Sequence, residues 1–440
     1  MRSAKFALVL ALAAPALAAG DAPDPSELRA ELRADVTAVL ERIDGSAAGQ
    51  ESAVGELAAL GPEAAPILFT ALSSDRPPGD GDHLPELRDA QEDALIGGLV
   101  RLGREPLSPL LSGAAEPGAT DADRVAALRV LEPIGGAQDL ALAARMATPS
   151  TEGTGLGTDV QNAFENAAAA ILRRDATARM QLPFLLREAH SATATSLVRS
   201  IGAAGIRAGP EILTGLLGRH VGLDRTLLGE IGAYAEHTPR PPEEWICDKV
   251  RAFLDRNDPQ LIREAALACG RLEDSRAVAP LIDLLEHEHD GVRQAAHWAL
   301  QRSTTLSFAA EPSRWRLWHE SEQVWLEAEA PEVFLALDRR ESEWVIQALN
   351  EIAGRRLHRR ALATRIQAVL DHPEHRVRAL ACSVLRQLDT ITDMEPLAEL
   401  LEDPSDGVSR AALATLRALT GWDLEARSEI WIEAWEQDAG

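Results

Sequence analysis

The chain has 440 residues, of which 46% are hydrophobic but only 4% aromatic, and its formal charge is −25. Alanine and leucine dominate over β-branched residues, so the composition favours an all-helical fold. So acidic a surface repels nucleic acid and anionic lipid, which argues against both as partners.

The first twenty residues, MRSAKFALVLALAAPALAAG, have the three parts of a secretory leader. Arg2 and Lys5 form the charged start, Phe6 to Ala14 the apolar stretch, and Ala16-Leu17-Ala18 the small-x-small cleavage site. The apolar stretch is too short to span a bilayer, and no later segment approaches a transmembrane length. Residues 1–18 are therefore expected to be removed on export to the periplasm or beyond, with no membrane insertion. Lys5 and Lys249 stand alone against 42 arginines, which reads as the mark of a GC-rich bacterial genome.

Residues 25–43 predict a first amphipathic helix, with Leu28, Leu32, Val36 and Leu40 on one stripe. From residue 24 to 302 the pattern continues as helix pairs. First helices carry a proline near their start (Pro66, Pro106, Pro183, Pro210, Pro280, Pro396), where the missing N–H costs least. Second helices follow Asp or Ser and then carry alanines, as at Asp258, Asp290 and Asp406. Aspartate there suits the free amides and the positive end of the dipole. Three Gly/Pro-rich stretches, 73–87, 112–121 and 148–158, predict a fringe of long loops along one edge.

Helices are predicted over 243–255 and 258–270. They place Cys247 and Cys269 at about the same height on antiparallel neighbours, as a disulfide or as two small packed apolar residues. One short pattern then recurs: AVAPLIDLLEHEHDGVRQAAHWAL at 277–300, ALATRIQAVLDHPEHRVRALACSVL at 361–385 and MEPLAELLEDPSDGVSRAALATL at 394–416. Two helices per repeat define an α-solenoid of about ten antiparallel helix pairs. Leu300–Trp318 and Leu416–Trp435 align at an offset of 116, Thr304 falling on Thr420, Phe308 on Leu424 and Trp315 on Trp431. Each reads as a loop followed by a tryptophan-bearing cap helix. The expected organisation is an array over 24–302, an internal cap over 303–330, a second array over 331–419 and a terminal cap over 420–440.

The Pro-Leu-x-x-Leu-Leu and Asp-x-x-Val-Arg-x-Ala-Ala elements, clearest over 258–302 and 357–419, resemble HEAT-like repeats, in the short bacterial form related to the phycobilisome-lyase type. The resemblance implies a right-handed superhelix whose second helices line the inner face. It also implies a scaffold or adaptor role, with pigment lyase activity in one branch.

No phosphate loop, nucleophile elbow or paired-histidine zinc helix is present, so no catalytic or cofactor-binding residue is nominated. Glu286 to Asp290, with His372 and His375, has metal-ligand chemistry, but an exposed turn offers nothing to fix the rings, so they read as polar turn residues and no metal is assigned. Arg314-Trp315-Arg316-Leu317-Trp318-His319 reads as a buried aromatic face, not a nucleic-acid motif. The sharpest signal is a charge reversal: residues 339–386 hold ten arginines against five acids. Arg355, Arg356, Arg359, Arg360, Arg376 and Arg378 are nominated as a docking patch for an anionic partner. That partner is an acidic protein, a phosphorylated or sulfated polymer, or the chain's own acidic part. The same arginines also fit a bland role, covering apolar surface and pairing with acids of adjacent repeats. The expected function is a noncatalytic scaffold or adaptor of the bacterial cell envelope that binds a protein or peptide. A permanent subunit of a larger envelope complex and a lyase-like enzyme are the alternatives.

Overall fold

Each apolar stripe becomes a helix in the computed structural model, which describes residues 25–43, 45–73, 85–149, 156–237 and 243–438. The leader lies outside the described residues, as do most of the 73–87 and 148–158 stretches. The first helices are α1 (Pro25–Leu40), α2 (Ala47–Ala59), α3 (Ala65–Leu72), α4 (Pro85–Leu102), α5 (Arg104–Ala114) and α6 (Asp121–Ile134). Next come α7 (Ala137–Met146), α8 (Thr158–Arg174), α9 (Ala176–Glu188), α10 (Ser191–Ala203), α11 (Gly209–Leu216) and α12 (Asp224–His237). They are followed by α13 (Glu244–Arg251), α14 (Pro259–Arg271), α15 (Val278–Leu284), α16 (Asp290–Thr304), α17 (Pro312–Val324) and α18 (Ala330–Leu337). The last are α19 (Ser342–Ile352), α20 (Arg359–Gln367), α21 (His375–Leu388), α22 (Glu395–Glu399), α23 (Asp406–Thr420) and α24 (Ser428–Asp438). The described residues contain no β-strand, so the chain is all-α, an α-solenoid of adjacent helix pairs. The stretch at 112–121 is a short turn between α5 and α6, not a long loop.

The chain divides into two compact units, residues 1–130 and 131–440. In the first, α2 packs on α4, α3 on both α4 and α5, and α1 covers α2 and α3. The α1 stripe is buried only toward its C-terminal end: Leu40 is inaccessible while Leu28 remains exposed. In the second unit, second helices form a row α8–α10–α12–α14–α16 and another α19–α21–α23. First helices stand behind them, α7 on α9, α11 on α13, α15 on α17, α18 on α20 and α22 on α24.

Proline placement follows the expected economy of hydrogen bonds. Pro66, Pro210 and Pro396 occupy the first two positions of α3, α11 and α22, whereas Pro183 lies inside α9. Aspartate behaves in two ways. Asp258 is the N-cap of α14 and accepts from Gln260 N at 2.9 Å. Asp290 and Asp406 instead open the first turn of α16 and α23, where they face the dipole without capping.

The two tryptophan modules are the same device built twice. Thr304 Oγ1 donates to Leu300 O at 2.7 Å and accepts from Leu306 N at 3.3 Å. Thr420 Oγ1 does likewise with Leu416 O at 2.8 Å and Trp422 N at 3.1 Å. Trp315 and Trp431 are both fully buried, and their Nε1 donate to Ala309 O at 2.9 Å and Glu425 O at 2.8 Å. Phe308 stacks on Trp315 at 5.0 Å, and Trp422 takes its place against Trp431 at 6.2 Å. The aromatic partner has thus moved two residues along the loop, from the position of Leu424 to that of Trp422. α17 covers α15 as α24 covers α22. Each cap shields the flank of a helix pair that would otherwise be open.

Close approach of second helices depends on small residues. A Cβ on Gly270 of α14 would stand 2.8 Å from Ala299 Cα and 2.8 Å from the Trp298 ring. Because a backbone atom is in the way, Gly270→Ala has to push α16 outward, at a cost of about 1–3 kcal/mol. Urea unfolding of the variant should show a lowered midpoint; an unchanged one would mean that the helices separate freely.

Candidate functional site

The chemistry-bearing side chains of the C-terminal half converge on the solenoid edge where α13 begins and α14 ends. α14 ends in a Schellman-type turn, in which Glu273 N donates to Gly270 O at 3.2 Å and Asp274 N to Cys269 O at 3.1 Å. Glu273 follows in the left-handed region (φ 53°), a conformation that usually selects glycine. Thr305, Asp389 and Gly421 hold the same place after α16, α21 and α23. A charged residue at 273 carries a backbone penalty that its carboxylate must offset.

That carboxylate is the anchor of an ion network. Glu273 lies 3.7 Å from Arg302 of α16 and pairs with Arg359 of α20. Arg359 is 3% exposed. Beside it, Arg360 Nη2 donates to Leu272 O at 2.6 Å, so a guanidinium takes up a free carbonyl at the negative end of α14. Arg355 Nη1 donates to Glu322 Oε1 of α17 at 2.9 Å and lies 4.3 Å over the Trp325 ring, whose Nε1 donates to Glu351 Oε1 at 2.7 Å. Glu322 is 6% exposed, a buried acid that answers a partly buried arginine. Around the same edge Arg251 forms a fork on Asp274 with both bonds at 2.8 Å, and Arg276 reaches Glu244 at 2.8 Å.

The nominated arginines are therefore mostly turned inward. Arg355, Arg356, Arg360 and Arg378 are half-buried, each donating to a protein acceptor, and Arg359 is buried and ion-paired with Glu273; only Arg376 is exposed. Arg356 donates to Gln387 O in the last turn of α21. Arg378 grips Asp403 with Nε at 2.7 Å and Nη2 at 2.9 Å, joining α21 to the turn before α23. The anions they meet belong to this chain. Beside those acids they take up helix-end carbonyls, Leu272 O and Gln387 O. Glu273 and Glu322 gave no signal in the sequence, because neither lies in a motif and both matter through burial.

The histidine-rich turns are explained by capping. His287 Nδ1 accepts from His289 N at 3.1 Å, and His372 Nδ1 from Glu374 N at 3.1 Å. In the third repeat Asp403 Oδ1 accepts from Ser405 N at 2.8 Å, and His190 Nδ1 does the same for Ala192 N at 3.3 Å. Imidazole and carboxylate are interchangeable here because the turn requires one acceptor two residues ahead of an orphan amide. Among the described residues no group of three or more His, Cys, Asp or Glu side chains is placed to hold a metal ion.

The three cysteines are free and buried. Burial, and then the nearby Asp274 carboxylate, pushes the Cys247 thiol up to about 11. Cys269 is raised well above its ordinary value by burial, Asp274 and its neighbour Cys247, and burial pushes Cys382 up to about 12. Such thiols stay protonated and unreactive at neutral pH. Of the two readings of Cys247 and Cys269, the structure holds the packed pair. Alkylation of the native protein at pH 7.5 should leave all three unlabelled by mass, and unfolding should expose three; label on native Cys247 would contradict this burial.

The Arg378 clamp makes a second measurable statement. Hydrogen bonding from Arg378 holds the Asp403 carboxyl below its ordinary 3.8. The folded state thus gains stability that is complete above about pH 4 and is lost as pH falls through the lower folded value. Asp403→Asn should cost about 3 kcal/mol at pH 7 and much less at pH 3, as read by denaturant midpoints. An equal loss at both would show that the pair adds nothing.

Residues 247–310 match the family model described as HEAT repeats. No curated protein matches the sequence. Among solved structures, an engineered protein is 14% identical over 88% of this chain and 98% of its own, with a TM-score of 0.30. Kap121p is 12% identical over 94% of this chain and 52% of its own, with a TM-score of 0.33. The karyopherin Kap121p bound to the extreme C-terminus of the protein phosphatase Cdc14p is 13% identical over 94% and 52%, with a TM-score of 0.32. The chain spans about half the length of that karyopherin. Likeness at this level carries no functional argument.

Proposed function

The chain is a HEAT-like repeat protein, and on that premise we propose that it is a noncatalytic protein-binding scaffold of the bacterial cell envelope. The envelope address rests on the leader at residues 1–18. One observation supports the binding role most directly: three of the nine tryptophans stand in solvent. Trp245 is 40%, Trp298 37% and Trp344 50% exposed, while Trp315, Trp325 and Trp431 are buried. Arg271 lies 5.9 Å over the Trp298 ring and Arg339 5.0 Å over the Trp344 ring. Half-exposed tryptophan backed by arginine is the composition of interface hot spots. Trp298 and Trp344 are on second helices, the face that this repeat class turns toward its partners.

Reactive groups elsewhere in the C-terminal half serve the fold. Its buried cysteines are protonated, its turn histidines cap amides and its clustered arginines bind internal acceptors. That distribution suits a protein that works through shape and surface. The partner is a protein or peptide held on the exposed second-helix face.

Capture from native envelope extract, followed by crosslinking and mass spectrometry, tests the reading. A partner retained by the wild-type chain should be lost at least about tenfold with Trp298→Ala plus Trp344→Ala, measured below the melting transition of the variant. Undiminished capture would remove this face as the contact. In the same preparation the mature chain should begin after Ala18 and fractionate with the envelope; an uncleaved chain retained in the cytosol would remove the address.

A further inference from the structure

The helices from α18 onward are attached to the preceding ones in an unusual way. They have their own core, in which every buried member lies at or after Trp325 and which runs to Trp431. The second-helix row stops at α16 and resumes at α19, with the α17 cap standing between. Ionic and polar contacts bridge the gap beside the buried Leu357: Arg359 with Glu273, Arg360 with Leu272 O at 2.6 Å, and Arg355 with Glu322 at 2.9 Å. The covalent link is a five-residue π-helix, Trp325–Glu329, between α17 and α18. Pro331 has no N–H to return to Glu327 O, so the α ladder is broken there and the wider turn takes over. Joints of this kind are where helices bend.

A pair of histidines lies in the seam. His358, which precedes α20, is half-buried, and its Nε2 is buried without a hydrogen-bond partner among the described residues. His319 of α17 acts on it directly, and burial together with that neighbour holds His358 below its ordinary 6.5. His319 is itself lowered by burial, against Glu320 and Glu322, which raise it. The other charges in the seam are Arg355, Arg359 and Arg360 from the second core, Glu351 of α19, Glu273 after α14 and Arg302 of α16.

We propose that α18–α24 form a latched module that swings about the Trp325–Glu329 joint, held shut by the arginine clamp on the α14 terminus and released by salt or mild acid. Salt weakens the attraction that recloses the seam. Acid works through the histidines. The open form takes up protons near pH 6.5 and the closed form only at lower pH, so opening is favoured as pH falls through that window. Opening frees the Glu273 carboxylate and Leu272 O from Arg359 and Arg360, so the device regulates which surface a partner meets. The swing carries Trp344 of α19 relative to Trp298 of α16, but the seam amides report it whether or not a partner binds the tryptophans.

Hydrogen exchange of the full chain, read by mass spectrometry, decides the matter. In 1 M salt, or at pH 5.5 after correction for intrinsic rates, amides at Gly270–Asp274 and Ala361–Ala363 should exchange about tenfold faster. Those around Leu385 and Leu416 in the second core should not change. Glu273→Gln should show the same local acceleration at low salt, and His358→Phe should abolish the acid response while keeping the salt response. Should the variants fail to fold, the wild-type salt and pH series stands alone. Unchanged seam amides, or loss of protection in seam and core together, would overturn the latch.

Discussion

The contact of α14 with α16 at Gly270 and Ala299 sets a spacing that neighbouring repeats must also keep. A Cβ on Gly97 or Gly98 of α4 would likewise meet Val54 or Leu57 of α2 within 3 Å. Backbones this close leave no room for bulky apolar layers between second helices. The burial that stabilises the stack comes instead from leucines and isoleucines shared between first and second helices, such as Leu281, Ile282 and Leu300. An alanine-rich composition with few aromatics is thus the chemical consequence of one distance repeated along the chain. Tryptophan is buried at the caps and at the Trp325 joint, and where it borders the close contact, as Trp298 does beside Gly270, its ring stays part-exposed.

Charge follows the same geometry. Because helix ends line up along the edges, each edge presents rows of unpaired carbonyls or amides, and arginine is the side chain that reaches them. Arg174 bonds Gly135 O at 2.6 Å and Glu132 O at 2.7 Å, and Arg173 reaches Ala204 O at 3.0 Å. Arg271 lies 3.4 Å from Glu236 of the preceding second helix. Exposed pairs of this kind add little stability singly. They do fix the register of one pair on the next. The cluster at 355–360 is a denser instance, in which the acceptors come from helices far back in sequence.

Much of this fold could be read from the chain because a solenoid's rules are local. Proline at the start of α3, aspartate before α14 and the Thr-to-Trp interval in both caps each follow from contacts within one repeat. The candidate site was less legible for the opposite reason. Arg359 and Glu273 are 86 residues apart, and no periodicity links them. The sequence displayed a surplus of positive charge without its complement, so a docking patch and an internal clamp looked alike. His287 and His372 were ambiguous in a different way: an imidazole that caps an amide and one that binds a metal have the same spacing, and only the direction of Nδ1 separates them.

The twin caps have a consequence for how such a chain lengthens. A block that ends in its own threonine-tethered tryptophan lid leaves no open flank at its terminus. A second block can then follow with a core of its own, as the cluster from Trp325 to Trp431 does. The lids partition the apolar burial of this molecule into closed segments, and the guanidinium groups at the seam splice one segment to the next.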